Sequence, residues 1–292
     1  MTNSSYSKVM LPDVPNHVLT VLDFLIGRFP GVSGDTWTKR VAEGKVLDED
    51  GHAITVNTGY LRGKKIYYRR EVEQERVIPF AETIVFENSA LLVACKPHFL
   101  PVNPTGPFVA ECLMNRLRKK TGNEQLVPIN RIDRETAGLV LFSADPKTRD
   151  SYYRLFREGE VEKYYQALAS VDEEPAQREW IVENRMEKGE PWFRMKIVPG
   201  QANSRSEIRL VEKRGDRARF QLRPFTGKTH QLRLHMSSLG FGIQNDRYYP
   251  HLQPESADDF GRPLQLLAKT VRFRDPLTGK VLEFNSERRL DW

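Results

Sequence analysis

Apolar residues at Val18, Leu22, Leu25 and Phe29 recur at i, i+4, i+7 and i+11, and Pro30-Gly31 closes the run. That spacing predicts an amphipathic helix, because one apolar stripe then faces a core. A second short helix is expected at 36–43, with Trp37 and Val41 on one face and Gly44 as its C-terminal cap. Extended pieces follow at 45–47, 53–57 and 65–68, with Gly51, Gly59 and Gly63 at the bends. Ahead of the first helix, residues 1–16 read as a flexible lead, since Pro12 and Pro15 block regular structure. The acidic-polar run 71–75 reads as a linker. The chain therefore divides into a lead, 1–16, a small unit, 17–75, and a large domain, 76–292.

In the large domain the period switches repeatedly. Segments 84–87 and 91–95 read as a strand pair turning at Asn88-Ser89. A helix with a basic end is expected at 110–120, and a buried strand at 139–143. Asp145-Pro146 reads as a helix start, with Asp as cap and Pro at the first helical position. Tyr152, Leu155 and Phe156 would form that helix's apolar face, and Gly159 its stop. Strands are expected at 161–170 and 217–223, then a helix at 229–239 burying Leu232, Met236 and Leu239 and ending at Gly240. Two last strands, 271–274 and 281–285, flank a turn at 276–279. Short strands and helices without a βαβ rhythm predict an α+β fold.

Composition narrows the class. With 39% hydrophobic and 29% charged residues, the chain is that of an ordinary folded protein. Its longest apolar runs, 91–95 and 138–142, fall far short of the ~20 residues that cross a bilayer. Residues 1–8 are polar and lack an apolar stretch of signal-peptide type, so a cytoplasmic location is expected. Two cysteines, Cys95 and Cys112, supply neither a disulfide framework nor a zinc-ligand set and are expected as reduced thiols. The net charge of +6 is compatible with a polyanionic partner without requiring one. Residues 1–80 carry almost none of it, with 11 basic against 10 acidic side chains.

Several chemistries lack their motifs. There is no Walker loop, no His-Glu-x-x-His and no G-x-S-x-G, and Gly240-Phe241-Gly242 lacks a third glycine. His230 and His235 are five apart, the wrong spacing for one helix face and hence for a metal pair. Neither a metal nor a cofactor is expected. Three polar blocks remain. Residues 130–138, Asn-Arg-Ile-Asp-Arg-Glu-Thr-Ala-Gly, crowd two arginines and two carboxylates directly before an apolar strand, where loops carry sites. Residues 226–233, Thr-Gly-Lys-Thr-His-Gln-Leu-Arg, lead into a helix whose first N–H groups can face a phosphate. In the third block, strand alternation puts Lys163, Tyr165 and Ala167 on one face. Taken singly, each reads more readily as a solvated turn, a helix start or a core tyrosine.

Taken together and in order, these blocks resemble the RluA family of pseudouridine synthases. The family's His-Arg-Leu-Asp-Arg-Asp/Glu-Thr-Ser-Gly-Leu is matched by Asn130 to Leu139, with Asp133 at the aspartate. Its Lys-x-Tyr-x-Ala is matched by Lys163, Tyr165 and Ala167, and its Thr-Gly-Arg-Thr-His-Gln-Ile-Arg-x-His by Thr226 to His235. Lys96-Pro97 is similar to its early Lys-Pro pair and Asp246-Arg247-Tyr248-Tyr249 to its Asp-x-x-Tyr element. Departures are Asn130 for His, Ala137 for Ser, His98 for the Gly after Lys-Pro, and Lys228 and Leu232. The resemblance spans about 80–290. More faintly, through Trp37, Gly44-Lys45-Val46 and Leu61-Arg62-Gly63, the small N-terminal unit is similar to the S-four type of RNA-binding domain.

The resemblance implies a pseudouridine synthase catalytic domain with a mixed, largely antiparallel sheet. It implies an enzyme, without cofactor, that isomerises specific uridines in ribosomal or transfer RNA; a monomer is expected. Asp133 would be the catalytic carboxylate, with Arg233 beside it as counter-ion. Tyr165 would pack on the extruded uracil and help remove its C5 proton. Arg131 and Arg134 would hold phosphates around the displaced nucleotide, and Lys163, Lys228, His230 and Gln231 would contact RNA. Two other readings stay open at this point. One is a non-catalytic RNA-binding or ribosome-assembly protein on the same fold. The other is a glycoside or nucleoside hydrolase pairing Asp133 with Glu135.

Overall fold

Thr20 and Asp23 open the first helix by a reciprocal pair of bonds. The Thr20 hydroxyl accepts from the Asp23 N–H, and the Asp23 carboxylate accepts from the Thr20 N–H, both at 3.0 Å. This computed structural model describes residues 6–13, 18–69 and 75–292. The chain forms two compact units, 1–74 and 75–292.

The first unit holds β1 (Tyr6–Met10), α1 (Val21–Arg28), α2 (Gly34–Ala42), β2 (Val46–Leu47) and β3 (Lys65–Arg69). The strands form an antiparallel sheet in the order β1-β3-β2. Its own core includes Leu11, Val21, Leu25, Trp37, Val41 and Ile66. Two expectations change here. Tyr6–Met10, read as part of a flexible lead, pairs over five residues with β3, because Pro12 falls just past the strand's end and costs it no ladder bond. Segment 53–57 contributes only an isolated bridge, Leu47 to Ala53. Most of the expected linker, 71–74, lies outside the described residues, as do 1–5 and 14–16 of the lead. Its last residue, Glu75, is an anchor of the second unit, since its carboxylate accepts the N–H groups of Val109, Ala110 and Glu111.

The second unit begins with β4 (Thr83–Glu87), β5 (Leu91–Lys96), α3 (Leu113–Thr121), β6 (Val127–Pro128), β7 (Ala137–Ser143) and α4 (Arg149–Arg157). It continues with β8 (Glu162–Ser170), β9 (Glu179–Lys188), β10 (Met195–Val198), β11 (Ser204–Arg214) and β12 (Arg217–Pro224). Then come α5 (Gln231–Ser238), β13 (Leu266–Arg274) and β14 (Val281–Asn285). The strands make one mixed, eleven-stranded sheet, β10-β9-β11-β12-β8-β13-β7-β5-β4, with β14 beside β13 and β6 beside β7. Its described pairs are antiparallel except β13 with β7. The fold is thus α+β, as the pattern predicts. Strands β9, β10 and β11 escape that pattern. The Asp145-Pro146 start is also displaced: Asp145 accepts the Lys147 N–H within a turn, and the helix begins four residues later. Among the described residues, no helix is long and apolar enough to cross a membrane.

Each helix seals one patch of core. Leu113 and Leu117 of α3 lie in the cluster with Leu92, Val140 and Phe142. Tyr152 and Leu155 of α4 join Val93, Leu139 and Val271. Leu232 and Met236 of α5 join Ile208, Phe220 and Leu222.

The centre of the sheet brings two of the polar blocks together. Ala137, first residue of β7, is paired with Leu267 of β13, and Ala268 of β13 is paired with Tyr165 of β8. The loop that carries Asp133 therefore enters the sheet two strands from Tyr165. Gly138 makes that entry possible. It has φ +117°, and a Cβ there would lie 2.2 Å from the Ala268 carbonyl oxygen.

Candidate active site

Arg233 is the fixed point of the site. It sits on the first turn and a half of α5 and is 1% exposed. Its Nε donates to Asp246 Oδ2 at 2.8 Å and its Nη2 to Asp246 Oδ1 at 2.6 Å. That two-pronged grip leaves Nη1 to face Asp133 Oδ2 at 3.4 Å and Glu135 Oε2 at 3.9 Å. The guanidinium also lies 4.8 Å from the Tyr248 ring centroid. Burial alone would lower the pKa of Arg233, but the hydrogen bonds and charge of Asp246, then the charges of Asp133 and Glu135, hold it above the ordinary arginine range. Asp246 is in turn held by the N–H groups of Tyr248, at 2.8 Å, and Tyr249, at 3.1 Å.

Asp133 is the open end of this array, with its side chain 25% exposed against 1% for Asp246. The loop beneath it is tied from below. Lys96, fully buried, donates to the carbonyls of Pro97, Leu100 and Arg134 at 2.7–2.9 Å. Burial pushes Lys96 down to about 7, against the pull of Glu135 and Asp133. Three carbonyl acceptors match the three N–H of an ammonium, whereas a neutral amine would be one donor short. His98 Nδ1 donates to the Glu135 carbonyl at 2.6 Å, and burial holds this imidazole neutral, down to about 4. Asn130 Oδ1 accepts the Leu141 N–H at 2.8 Å, next to the Ile129-to-Leu141 ladder bond. Thus His98, Asn130 and the buried Ala137, all departures from the family pattern, serve as backing for the Asp133 loop.

Tyr165 faces the same space. Burial first, then the negative charge of Asp133, push its hydroxyl above the ordinary tyrosine range, so the phenol is neutral at physiological pH. Lys163 precedes it by two on the same face of β8, and burial lowers its pKa. His230, with φ +52°, stacks near Tyr248 and Tyr249 and meets the Tyr249 hydroxyl at 3.2 Å. Burial lowers its pKa, opposed by the charge of Asp133.

The structure therefore brings Asp133, Tyr165, Arg233 and His230 together, leaves Lys163 half-buried on the Tyr165 strand, and separates other expected contacts from solvent. Gln231 is 4% exposed and fully employed. Its amide N donates to the Arg205 carbonyl and Ser206 Oγ, and its Oε1 accepts from Thr226 Oγ1 and the Lys228 N–H. It is a staple for the loop before α5, not a surface that RNA can touch. That helix starts at Gln231, so the Thr226-Gly227 turn is not its first turn. Arg134 is likewise taken: Nη1 and Nη2 donate to Asp258 at 2.9 and 2.7 Å, and Nε to Glu135 at 3.2 Å. Arg131 and Lys228 are exposed. In the expected basic patch at 116–120, Arg116 is bound to Glu111, Glu82 and two carbonyls, and Arg118 to the Leu126 carbonyl. Sequence reasoning gave no role to Asp246 or Asp258; the Asp-x-x-Tyr element was the available signal for the first, and none existed for the second.

His235, expected to form no metal pair with His230, is buried on α5, where its Nε2 lies 3.2 Å from Ser204 Oγ. Among the described residues, Asp48, Asp50 and His52 of the first unit form the one grouping of potential metal ligands. The Asp48 carboxylate there accepts the Asp50 and His52 N–H groups of its own turn.

A family model described as RNA pseudouridylate synthase matches residues 90–238. The dual-specificity RNA pseudouridine synthase RluA of Haemophilus influenzae is 32% identical over 214 residues, 70% of this chain and 92% of that protein. The ribosomal large subunit pseudouridine synthase C of Vibrio cholerae is 29% identical over 215 residues, 72% of this chain and 67% of that one. The solved structure of human RNA pseudouridylate synthase domain containing 1 has a TM-score of 0.58 at 23% identity, covering 71% of this chain and 84% of that one, a likeness of fold.

Proposed function

The chain belongs to the RNA pseudouridylate synthase family, and on that basis we propose that Asp133 is the carboxylate with which it isomerises uridines of ribosomal or transfer RNA. The observation that carries the reading is the Arg233 bridge: a buried guanidinium anchored at Asp246, with its last nitrogen 3.4 Å from a partly open Asp133. A partly exposed carboxylate is thereby presented with its counter-ion already in place.

Isomerisation breaks the uracil N1–C1′ bond, turns the base and joins C5 to C1′. The C5 proton is lost and N1 gains one, so nothing is oxidised or reduced. Asp133 acts either by adding to C1′ or by taking the C2′ proton. Tyr165 contributes its ring as a platform for the extruded uracil, at a base-flipping cost of a few kcal/mol. Its neutral hydroxyl is not poised as a base. Arg131, Lys163, Lys228 and His230 face the RNA, the first two nearest the Asp133 loop in sequence or on the Tyr165 face. Arg134 and Gln231 instead hold loops. The first unit serves as an S-four-type RNA-binding domain, a reading supported by its two helices over a small sheet. The name of the Vibrio cholerae relative supports ribosomal RNA among the substrates. A monomer in the cytoplasm accords with this reading.

Asp133→Asn keeps the shape and most hydrogen bonds but removes the charge. It is expected to bind RNA like the parent and to lose isomerisation by at least about 10²-fold. Carbodiimide labelling with primer extension on RNA from cells lacking the protein reads the outcome. Turnover at the parental rate would end the assignment.

A further inference from the structure

Trp192 is 76% exposed at the tip of the β9–β10 hairpin, the most exposed large apolar side chain in the described structure. A single exposed apolar residue is commonplace and carries no meaning alone. This one ends a chain of ring contacts that starts in the active site, tilted between Tyr248 and Phe193 and edge-to-face between Phe193 and Trp192. The Arg233 guanidinium lies 4.8 Å from the Tyr248 ring, Tyr248 lies 5.2 Å from Phe193, and Phe193 lies 5.9 Å from Trp192. Every inner member has a ring or cation on the next one in. Only the outermost is left with an open face.

The residues around it are fixed. Arg194 sits 5.0 Å over the Tyr249 ring and donates to the Pro250 carbonyl, and the Tyr249 hydroxyl accepts the Met195 N–H at 2.6 Å. The hairpin tip is therefore anchored to the same segment that holds Asp246, so Trp192 is displayed from a rigid base. The paired part of the hairpin, 185–198, also carries four basic against two acidic side chains.

We propose that Trp192 is a stacking platform for an unpaired base of the RNA flanking the target uridine, at the outer end of the Tyr248–Phe193 contacts that lead to Arg233. The proposal rests on the assigned RNA-modifying function and deepens it. Aromatic rings recognise single-stranded bases because every base offers a π-face, and a nearby positive field holds the backbone. A duplex offers no such free face. The stack would place the residue among those that decide which sequence contexts around the uridine are accepted.

The probes are a fluorescein-labelled oligouridylate 12-mer and a 12-base-pair RNA duplex, bound to the full chain. Trp192→Ala should weaken 12-mer binding by about 5- to 150-fold, the range for loss of one base–aromatic stack. Trp192→Phe should recover most of it. The loss should be the same at all salt concentrations, since no phosphate contact is removed, whereas Arg131→Ala should lower the salt slope by about one. The 12-mer should quench the parent's tryptophan emission, and that quench should vanish in Trp192→Phe. On the duplex, Trp192→Ala should bind like the parent. Parental affinity of Trp192→Ala for the 12-mer, or an equal loss on the duplex, would overturn the proposal. Neither result bears on isomerisation by Asp133, which the parent and Asp133→Asn test separately.

Discussion

Arg233 divides its three nitrogens between two tasks, and that division decides what its replacement must do. Nε and Nη2 satisfy a carboxylate that is 1% exposed, and Nη1 reaches the reacting one. Arg233→Leu would leave Asp246 buried without a counter-ion, at a cost of about 3–5 kcal/mol, so a dead protein would be uninformative. Arg233→Lys is the sharper change. One ammonium cannot grip Asp246 at two oxygens and still reach Asp133. It is expected to cut kcat by about 10²- to 10³-fold, the cost of one preorganised donor, with a smaller fall in denaturation midpoint than Arg233→Leu. Full kcat in Arg233→Lys would mean that Nη1 contributes nothing. At this scale the sequence was readable where spacing is local: Asp133, Tyr165 and Arg233 stand at their motif positions, and the structure gathers them. It was opaque where a polar group has two possible employers. Gln231 and Arg134 look like surface contacts in a motif, yet their partners, Ser206 and Asp258, lie 25 and 124 residues away.

Elements carry the next constraint, the parallel join of β7 and β13. A parallel neighbour requires a long crossover and is held here by only two registered pairs, Ala137 with Leu267 and Gly138 with Ala268. Gly138 touches backbone, not a side chain that can swing aside: a Cβ would meet the Ala268 oxygen at 2.2 Å and its nitrogen at 2.7 Å. Gly138→Ala is therefore expected to destabilise the fold by more than about 4 kcal/mol, or to push β7 off β13 and carry the Asp133 loop with it. Urea denaturation and the isomerisation assay read the two effects. A variant with parental stability and turnover would remove the claim that this approach sets the site. Helices were legible here through spacing and local chemistry, as in the Leu22–Leu25 stripe of α1 and the Gly44 terminus of α2. Strands β9 and β11 were not. Their outward faces mix charges with Ile181 and Val211, 63% and 45% exposed, so the alternation that marks a half-buried strand is blurred.

Across the molecule, charge and architecture are unevenly shared. Residues 1–74 hold ten basic and nine acidic side chains, so the remaining chain carries nearly all of the net +6. Bulk attraction to RNA must then arise mainly in 75–292, which also contains the Asp133 site and three buried clusters of its own. The first unit has a separate core around Trp37 and can add affinity only through a particular face, not through net charge. A chain beginning at Glu75 keeps the carboxylate that caps Val109, Ala110 and Glu111, and with it the start of the second fold. It is expected to unfold cooperatively and to isomerise uridine with little change in kcat. Its KM should rise on the order of 10²-fold, as when one of two linked binding modules is lost. Its salt slope should hardly fall, because little net charge has been removed. A parental KM would sink the assignment of the first unit to RNA. A collapsed salt slope would instead put the phosphate contacts in that unit and leave Arg131 and Lys228 without the role given them.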